Sequence, residues 1–216
     1  MQLEGAQFEG RIGESAKARS LFTKLCKKVG NGPVYLEASR YEEREANIKE
    51  SLDFCEEGLD VNPRYAPLWF QYLRLYEKAP SKLQLDRFDD IQTILNDMHY
   101  NVNQELEWKV YIETAQMHER MGHLQKAIGH VTNALMSCPD NIKWKLWLLA
   151  SRLLMRMGEV QNSRDVIEKC CFETPSKQMP VSLIEYAKHF EMRCELSRAR
   201  ELMEQAKKQS KGEWKT

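Results

Sequence analysis

The sequence predicts an all-α protein, built as a right-handed superhelical array of repeated helix pairs. Glycine and proline are sparse, at 10 and 7 of 216 residues, whereas strong helix formers such as Glu, Lys, Leu and Ala are plentiful. An aromatic or apolar anchor residue recurs at a spacing close to the length of one helix pair. No segment alternates apolar and polar residues as a half-buried strand would. These three observations favour a helical repeat over a mixed or all-β fold.

The anchor residues define the first helix of each predicted pair. They are Tyr35, Trp69, Trp108, Trp147 and Leu183, spaced 34, 39, 39 and 36 residues apart. Each is followed by an aromatic or small residue three positions later and by a further matching residue seven or eight positions later. A period of about 34–40 residues is typical of stacked helix pairs, because one pair cannot bury its apolar face alone.

A second amphipathic segment follows each anchor helix, and small residues are frequent at its equivalent position. These positions are Ala18, Ser51, Ile91, Ala127, Ser163 and Ala199, and the last three intervals are each 36 residues. Small side chains let neighbouring helices approach closely, while Leu, Ile, Phe or Val three or four residues later supplies the buried stripe.

Proline and glycine mark the predicted helix ends. Second helices are predicted to close at Asn62-Pro63, Cys138-Pro139-Asp140 and Thr174-Pro175, and Gly122 and Gly158 to lie in turns within pairs. Pro67 suits the first turn of its helix. The stretch from Ala79 to Lys82 predicts a longer, irregular connector.

The predicted domain organisation is one array covering residues 1–216. A partial repeat at 1–30 is followed by repeats at 31–63, 64–102, 103–139, 140–176 and 177–210, and 211–216 begins a further one. Neither end reads as a polar capping repeat. We therefore expect an interior part of a longer array, with apolar ends that favour self-association.

Composition argues against several function classes. Thirty-two Lys and Arg balance 32 Asp and Glu, so no global field attracts nucleic acid or an anionic membrane. No apolar run approaches the length of a membrane span, and the N-terminus lacks an apolar signal segment. The scattered cysteines predict reduced thiols, mostly core filler.

No motif in the sequence indicates catalysis, a cofactor or a metal. A metal site built from Cys170, Cys171, His189 and Cys194 is the less favoured interpretation, since recognisable zinc spacing is lacking. The tryptophans, of which Trp144 is expected to be the partly exposed one, are interpreted as core residues and alternatively as stacking platforms.

A basic column is predicted along one edge of the anchor helices. Five residues after the anchors come Arg40, Arg74, Glu113, Arg152 and Lys188, and four residues further on come Arg44, Lys78, Met117, Arg156 and Met192. The column, interrupted in the third unit, suits an acidic peptide or phosphates of a partner. The favoured interpretation is that these side chains are solvated or pair with acids on the facing second helices, such as Glu50, Asp53, Asp89 and Asp90.

The pattern of anchor, aromatic, Glu, Gly turn, Ala-Arg and closing Pro resembles the half-a-tetratricopeptide family. Its members include crooked-neck-type splicing factors and the large scaffold subunit of cleavage stimulation factor. The Glu matches at Glu43, Glu77 and Glu191 and is replaced at Gln116 and Met155. Ala-Arg is complete at Ala18-Arg19 and Ala199-Arg200, with Ser163-Arg164 close to it.

This resemblance implies a non-enzymatic scaffold for other proteins of a ribonucleoprotein or RNA-processing assembly. It also implies a nuclear location, with the cytoplasm as a second one. Two alternatives stay open at this point. One is direct RNA or acidic-peptide binding along the basic column. The other is an adaptor in a cytoskeletal, ciliary or translational complex, which the same fold serves equally well.

Overall fold

A computed structural model describes residues 2–79 and 91–210 of the chain. These residues fall into two compact units, Met1–Val110 and Tyr111–Thr216. Three expectations lie outside the described residues: the connector beyond Ala79, the pairing of Asp89 and Asp90, and the repeat that begins at 211–216.

The first unit is formed by helices α1 to α6 and the start of α7. Their bounds are α1 Gln2–Arg11, α2 Ser15–Val29, α3 Gly32–Arg44, α4 Ile48–Val61, α5 Ala66–Lys78 and α6 Ile91–Asn101. Helices α3 and α4 pack along each other, and α5 packs on both.

The second unit is formed by the rest of helix α7 and by helices α8 to α12. Their bounds are α7 Glu107–Arg120, α8 Leu124–Ser137, α9 Lys143–Arg156, α10 Val160–Glu173, α11 Met179–Met192 and α12 Leu196–Gln209. Short 3-10 turns, Gln104–Leu106 and Asp140–Ile142, precede α7 and α9. The described residues contain no strand, so the all-α repeat class is confirmed.

Helix ends follow the local sequence as predicted. Helices α4, α8 and α10 end directly before Asn62-Pro63, Cys138-Pro139 and Thr174-Pro175. Proline stops a helix there because it lacks the N–H group that the next hydrogen bond needs. Pro67 lies in the first turn of α5, where the missing N–H has no partner in the helix anyway.

From α7 onward the repeat is 36 residues long throughout. Helices α7, α9 and α11 begin at 107, 143 and 179, and α8, α10 and α12 begin at 124, 160 and 196. Burial recurs with the same spacing. Equivalent positions that are both buried are Val110 and Leu146, Thr114 and Ala150, and Met117 and Leu153.

This spacing corrects the anchor of the third helix pair. Tyr111 is the fifth residue of α7, as Trp147 and Leu183 are the fifth residues of α9 and α11. Trp108 lies one turn earlier, at the place that Trp144 has in α9. Assigning the anchor to Trp108 was therefore wrong by three residues.

The turns inside the pairs need a left-handed residue. Gly122 and Gly158 have φ of 80° and 81° there, a conformation that glycine adopts without a steric penalty. Cys194, 36 residues after Gly158, and Ala46, in the turn between α3 and α4, have φ of 61° and 62°. Two turns thus hold a left-handed residue that carries a Cβ.

Replacing Ala46 or Cys194 by glycine should raise the free energy of unfolding by about 0.5–1 kcal/mol, because relief of the left-handed strain outweighs the added chain entropy. Urea unfolding followed by circular dichroism measures the change. Gly158→Ala is the reciprocal control and should lose about 1 kcal/mol. A loss of stability in either glycine variant would contradict the expectation.

Candidate partner-binding surfaces

The structure places all seven basic residues of the predicted column on anchor helices, with exposed side chains. Arg40 and Arg44 lie on α3, Arg74 and Lys78 on α5, Arg152 and Arg156 on α9, and Lys188 on α11. Their surroundings differ from the prediction. Arg40, Lys78, Arg152, Arg156 and Lys188 form ion pairs with acids of anchor helices. The sequence predicts second-helix acids such as Glu50 and Asp53 instead.

In the first unit, Glu43 of α3 joins two successive anchor helices. Its carboxylate accepts hydrogen bonds from Lys78 Nζ at 2.5 Å and from Gln71 Nε2 at 2.7 Å, both on α5. Burial by itself would raise the pKa of Glu43. The hydrogen bonds from Lys78 and Gln71, with the charges of Lys78 and Arg74, outweigh it and lower that pKa.

In the second unit, Glu119 of α7 has the same role. Arg152 binds both of its oxygens, at 3.0 Å through Nε and 2.7 Å through Nη2, and Arg156 Nη1 lies at 2.9 Å. The Glu119 side chain is only 11% exposed. Burial raises its pKa, but the two arginines lower it further than burial raises it. Bidentate arginine pairs of this kind are among the stronger polar contacts.

Glu43 and Glu119 occupy one repeat position, eight residues after Tyr35 and Tyr111. We call each, with the basic residues of the next anchor helix that it binds, an acidic clamp. Counting from Trp108 puts Gln116 at this position. Counted from Tyr111, the column has Gln116 instead of Glu113 and Arg120 instead of Met117.

Three column residues, Arg40, Arg44 and Lys188, lie outside the clamps. Arg40 pairs with Glu37 at 3.1 Å and Lys188 with Glu185 at 2.6 Å, each within its own helix. Arg44 forms no ion pair with a residue that the structure describes. The sequence identified the basic half of the clamps and missed Glu119, for which the equal 36-residue spacing was the available signal.

Two of the tryptophans that the structure describes, Trp69 and Trp144, are core residues, and one expectation about exposure needs correction. Trp69 is buried, and its indole N–H donates to the Pro63 carbonyl at 2.7 Å. Trp144 is 7% exposed and packs with Ile167 and Cys170, so it is not the partly exposed tryptophan. Trp147 is half-buried instead. Its indole donates to Glu173, and Lys169 Nζ lies 4.2 Å from its ring centroid, which occupies one aromatic face.

The candidate metal ligands are not gathered into one site. Cys170 is buried, with its thiol donating to the Trp144 carbonyl, while Cys194 is exposed. His189 is hydrogen-bonded through its ring nitrogens to Ser151 at 2.8 Å and Ser163 at 3.4 Å. Among the described residues, no three His, Cys, Asp or Glu side chains are arranged to hold a metal ion.

Three histidines meet at the turn between α7 and α8. The ring of His118 stacks on His130 with centroids 5.2 Å apart and lies 5.9 Å from His123. The Nδ1 atom of His118 is buried and has no hydrogen-bond partner in the part of the chain that the structure describes. Burial, followed by the charges of His130, Lys126 and His123, lowers the pKa of His118 to about 4.

Unfolding should therefore become easier on mild acidification. Between the unfolded pKa near 6.5 and the folded value near 4, the unfolded chain binds a proton at His118 that the folded chain does not. We expect a loss of about 1–2 kcal/mol from this residue between pH 7 and 5. Urea unfolding of His118→Phe at both pH values should show a correspondingly smaller loss than the unmodified chain. Equal losses in the two proteins would contradict this assignment.

Large apolar side chains are exposed near the ends of second helices. In the second unit, Met136 of α8 is 82% exposed and Phe172 of α10 is 91% exposed. They lie 36 residues apart, at one repeat position. Contiguous exposed apolar surface marks protein interaction sites, so these two positions are candidates for contact with a partner.

The helix pairs, their register and the clamps define a helical-repeat protein of the tetratricopeptide (TPR) class. The chain belongs to the family described as the TPR-like domain of PRP6, whose profile matches residues 1–216. Families of this repeat are generally non-enzymatic scaffolds. No described helix is long and apolar enough to cross a membrane.

Known proteins show the same relationship. A TPR-containing protein of Dictyostelium discoideum is 34% identical over 141 residues, which is 65% of this chain and 10% of that protein. The chain thus spans about one tenth of the length of this relative.

Solved structures share the fold at low identity. Yeast Tom70 is 15% identical with a TM-score of 0.66, over 95% of this chain and 42% of that one. A kinesin light chain with TPR-like repeats from Podospora anserina is 13% identical with a TM-score of 0.62, over 84% and 96%. YrrB, described as a TPR protein with an unusual peptide-binding site, is 10% identical with a TM-score of 0.52, over 89% and 93%.

Proposed function

We propose that the chain is a non-enzymatic scaffold that binds other proteins of a ribonucleoprotein assembly in the nucleus. The family match supports this proposal, because the PRP6 family hints at splicing. The observation that carries the proposal is that basic residues are paired within the chain while large apolar side chains are exposed. Lys78, Arg152 and Arg156 are engaged in acidic clamps, whereas Met136 and Phe172 are turned to solvent. In either unit, paired basic residues and exposed apolar side chains suit protein partners better than a phosphate backbone.

Direct RNA binding is the alternative that the clamps argue against. A phosphate would have to compete with Glu119 for Arg152 and Arg156, and with Glu43 for Lys78. Fluorescence anisotropy with single-stranded RNA at 50 and 200 mM salt tests this alternative. We expect no tight binding at either salt concentration. A steep fall in affinity with salt would favour RNA, because displaced counterions make phosphate binding salt-dependent.

Affinity purification of the tagged chain from cells, with and without ribonuclease, tests the scaffold itself. We expect ribonucleoprotein components to co-purify and to remain after ribonuclease treatment. Their loss on treatment would contradict a protein-bound scaffold, and recovery of only cytoskeletal, ciliary or translational proteins would favour the adaptor alternative.

The double variant Met136→Ser/Phe172→Ser should lose part of the co-purifying set, because exposed apolar side chains at a binding surface give up their burial against a partner. The matched control is Lys208→Ser on α12, 36 residues after Phe172 and also exposed. Quantitative mass spectrometry compares the three purifications. Equal recovery of partners in all three purifications would show that Met136 and Phe172 do not bind the partners.

A further inference from the structure

The residue before α3, Asn31, holds the first turn of that helix. Asn31 is the N-cap of α3, and its side-chain oxygen accepts a hydrogen bond from the Val34 N–H at 3.1 Å. The first turn of a helix leaves N–H groups without a partner inside the helix, and a capping side chain satisfies one of them. Capping therefore explains why an asparagine stands at this position.

Packing explains the residue that follows it. Gly32 is the first residue of α3, and a Cβ atom there would come within 2.5 Å of Tyr65 Cγ and 3.0 Å of Tyr65 Cβ. These two atoms lie at the base of the Tyr65 side chain, so rotation of the ring does not relieve the overlap. The fold thus places an Asn-Gly dipeptide here, and the sequence contains that dipeptide once.

An Asn-Gly dipeptide can react with itself, because the backbone nitrogen of the glycine can attack the asparagine side chain. Glycine has no side chain to hinder the approach. The bond from Gly32 N to Asn31 Cγ forms, the Cγ–Nδ2 bond breaks, and ammonia leaves with the proton of the attacking nitrogen. The product is a five-membered succinimide ring.

Water then opens the ring at one of two bonds. Cleavage between Gly32 N and Asn31 Cγ gives aspartate. Cleavage between Gly32 N and the backbone carbonyl carbon of Asn31 gives isoaspartate, in which the main chain runs through Cβ and Cγ. The whole sequence consumes one water and releases one ammonia, so it needs no oxidant, reductant or enzyme.

The structure leaves the attacking nitrogen of Gly32 without a hydrogen bond. The Gly32 N–H donates to no acceptor among the described residues, and Asn31 is exposed. Glycines also flank Asn31 on both sides, and Gly30 has a φ of 59°. The backbone can therefore rotate around Asn31 more easily than around a residue with bulkier neighbours.

The cap slows the reaction. Asn31 has a ψ of 155°, which turns the Gly32 nitrogen out of the plane in which the five-membered ring closes. Gly32 is also buried against Tyr65. Ring closure thus requires the first turn of α3 to open, which releases the side chain from Val34 and admits water. Helix ends open at a lower free energy than the core of a protein does.

The dipeptide Asn162-Ser163 of α10 is arranged differently. The Ser163 N–H donates to the Glu159 carbonyl at 2.9 Å, and Ser163 is fully buried. The Asn162 side-chain amide donates to the Glu159 carboxylate at 2.7 Å. The attacking nitrogen is thus occupied, and a serine side chain stands beside it. Asn162 is a matched internal control in the same chain.

We propose that Asn31 is a site of spontaneous deamidation in the folded protein, with a rate set by opening of the first turn of α3. Aspartate keeps the capping oxygen and adds a negative charge that a helix N-terminus favours. Isoaspartate adds an atom to the main chain and removes the cap to Val34. Its formation therefore loosens the start of an anchor helix as the protein ages. The inference is independent of the proposed scaffold function.

Peptide mapping by mass spectrometry tests the proposal on the full chain, aged at mildly alkaline pH with and without urea. In the folded chain, Asn31 should show the mass change of an amide converted to a carboxylate, at a rate at least tenfold below that in urea. Asn162 should react only in urea. No change at Asn31 in the folded chain, equal rates with and without urea, or equal conversion of Asn162 overturns the proposal.

A second measurement identifies the isoaspartate product. An isoaspartyl methyltransferase should label the aged chain and leave Asn31→Ser, which keeps a capping oxygen, unlabelled. Hydrogen exchange of the Val34 amide should be at least tenfold faster in the isoaspartate fraction than in Asn31→Asp. Equal labelling of Asn31→Ser would place the isoaspartate elsewhere, and equal exchange would show that the cap survives. Either result contradicts the proposal.

Discussion

Gly58→Ala is expected to lower the free energy of unfolding by about 1–3 kcal/mol, although alanine is the better helix former. Gly58 lies in α4, where a Cβ atom would meet Tyr35 Cβ at 2.7 Å, Tyr35 Cγ at 2.8 Å and Leu68 Cδ1 at 2.9 Å. All three atoms belong to buried side chains with little room to move. Overpacking therefore outweighs the gain in helix propensity.

Gly129→Ala is the matched control, because it makes the same change in a second helix with open surroundings. Apart from its chain neighbours and the backbone of its own helix, no atom of the described residues lies within 4 Å of the Cβ position at Gly129 in α8. Helix propensity alone then acts, and stability should rise by about 0.5–1 kcal/mol. Urea unfolding, with hydrogen exchange of α4 and α8 as a local check, measures both. The same sign for both substitutions would show that α3 and α5 are not packed tightly around Gly58.

Glu119→Gln should cost about 1–3 kcal/mol, because it removes a nearly buried carboxylate that binds Arg152 and Arg156. A double-mutant cycle with Arg152→Met isolates the pair, and the coupling free energy should be about 1–2 kcal/mol. The control Glu201→Gln changes an exposed glutamate that pairs with no described residue, and it should stay within about 0.5 kcal/mol.

The pH dependence of this variant follows from the lowered pKa of Glu119. The clamp stabilises the fold above the unfolded pKa of a glutamate, and its contribution disappears as pH falls through the lower folded value. The gap in stability between the unmodified chain and Glu119→Gln should therefore narrow on acidification below about pH 4. A coupling free energy near zero at neutral pH would mean that solvent screens the pair.

The repeat class, the helix ends and most anchors could be predicted because their signals lie in the local sequence. These signals are the repeat period and the effects of proline and glycine on helix ends. The third anchor could not. Trp108 and Tyr111 are both aromatic and lie one turn apart, so a shift of three residues keeps nearly the same helix face. The stretch after Ala79, predicted to be an irregular connector, interrupts the regular spacing that the upstream repeats would otherwise supply. The spacing of Ala127, Ser163 and Ala199 carried the correct register.

The candidate site was only half predictable for the same reason. Arg152 and Arg156 were identifiable as a basic pair from their spacing of four. Their partner Glu119 lies on the preceding anchor helix, and naming it requires the register that the wrong anchor had displaced. Charge pairing between helices depends on which residues are neighbours in three dimensions. A correct repeat register identifies those neighbours, and amino-acid composition does not.

We call the contacts between two successive anchor helices a joint, and these joints differ chemically. The difference affects how easily the helices move against each other. The joints at Glu43 and Glu119 are ionic and should soften as ionic strength rises. The joint between α9 and α11 has Met155 at the clamp position, and His189, whose pKa is lowered by burial, meets Ser151 and Ser163. Its hydrogen bonds are between neutral groups near pH 7. Added salt should therefore weaken the contacts in the ionic joints and leave those in this joint unchanged.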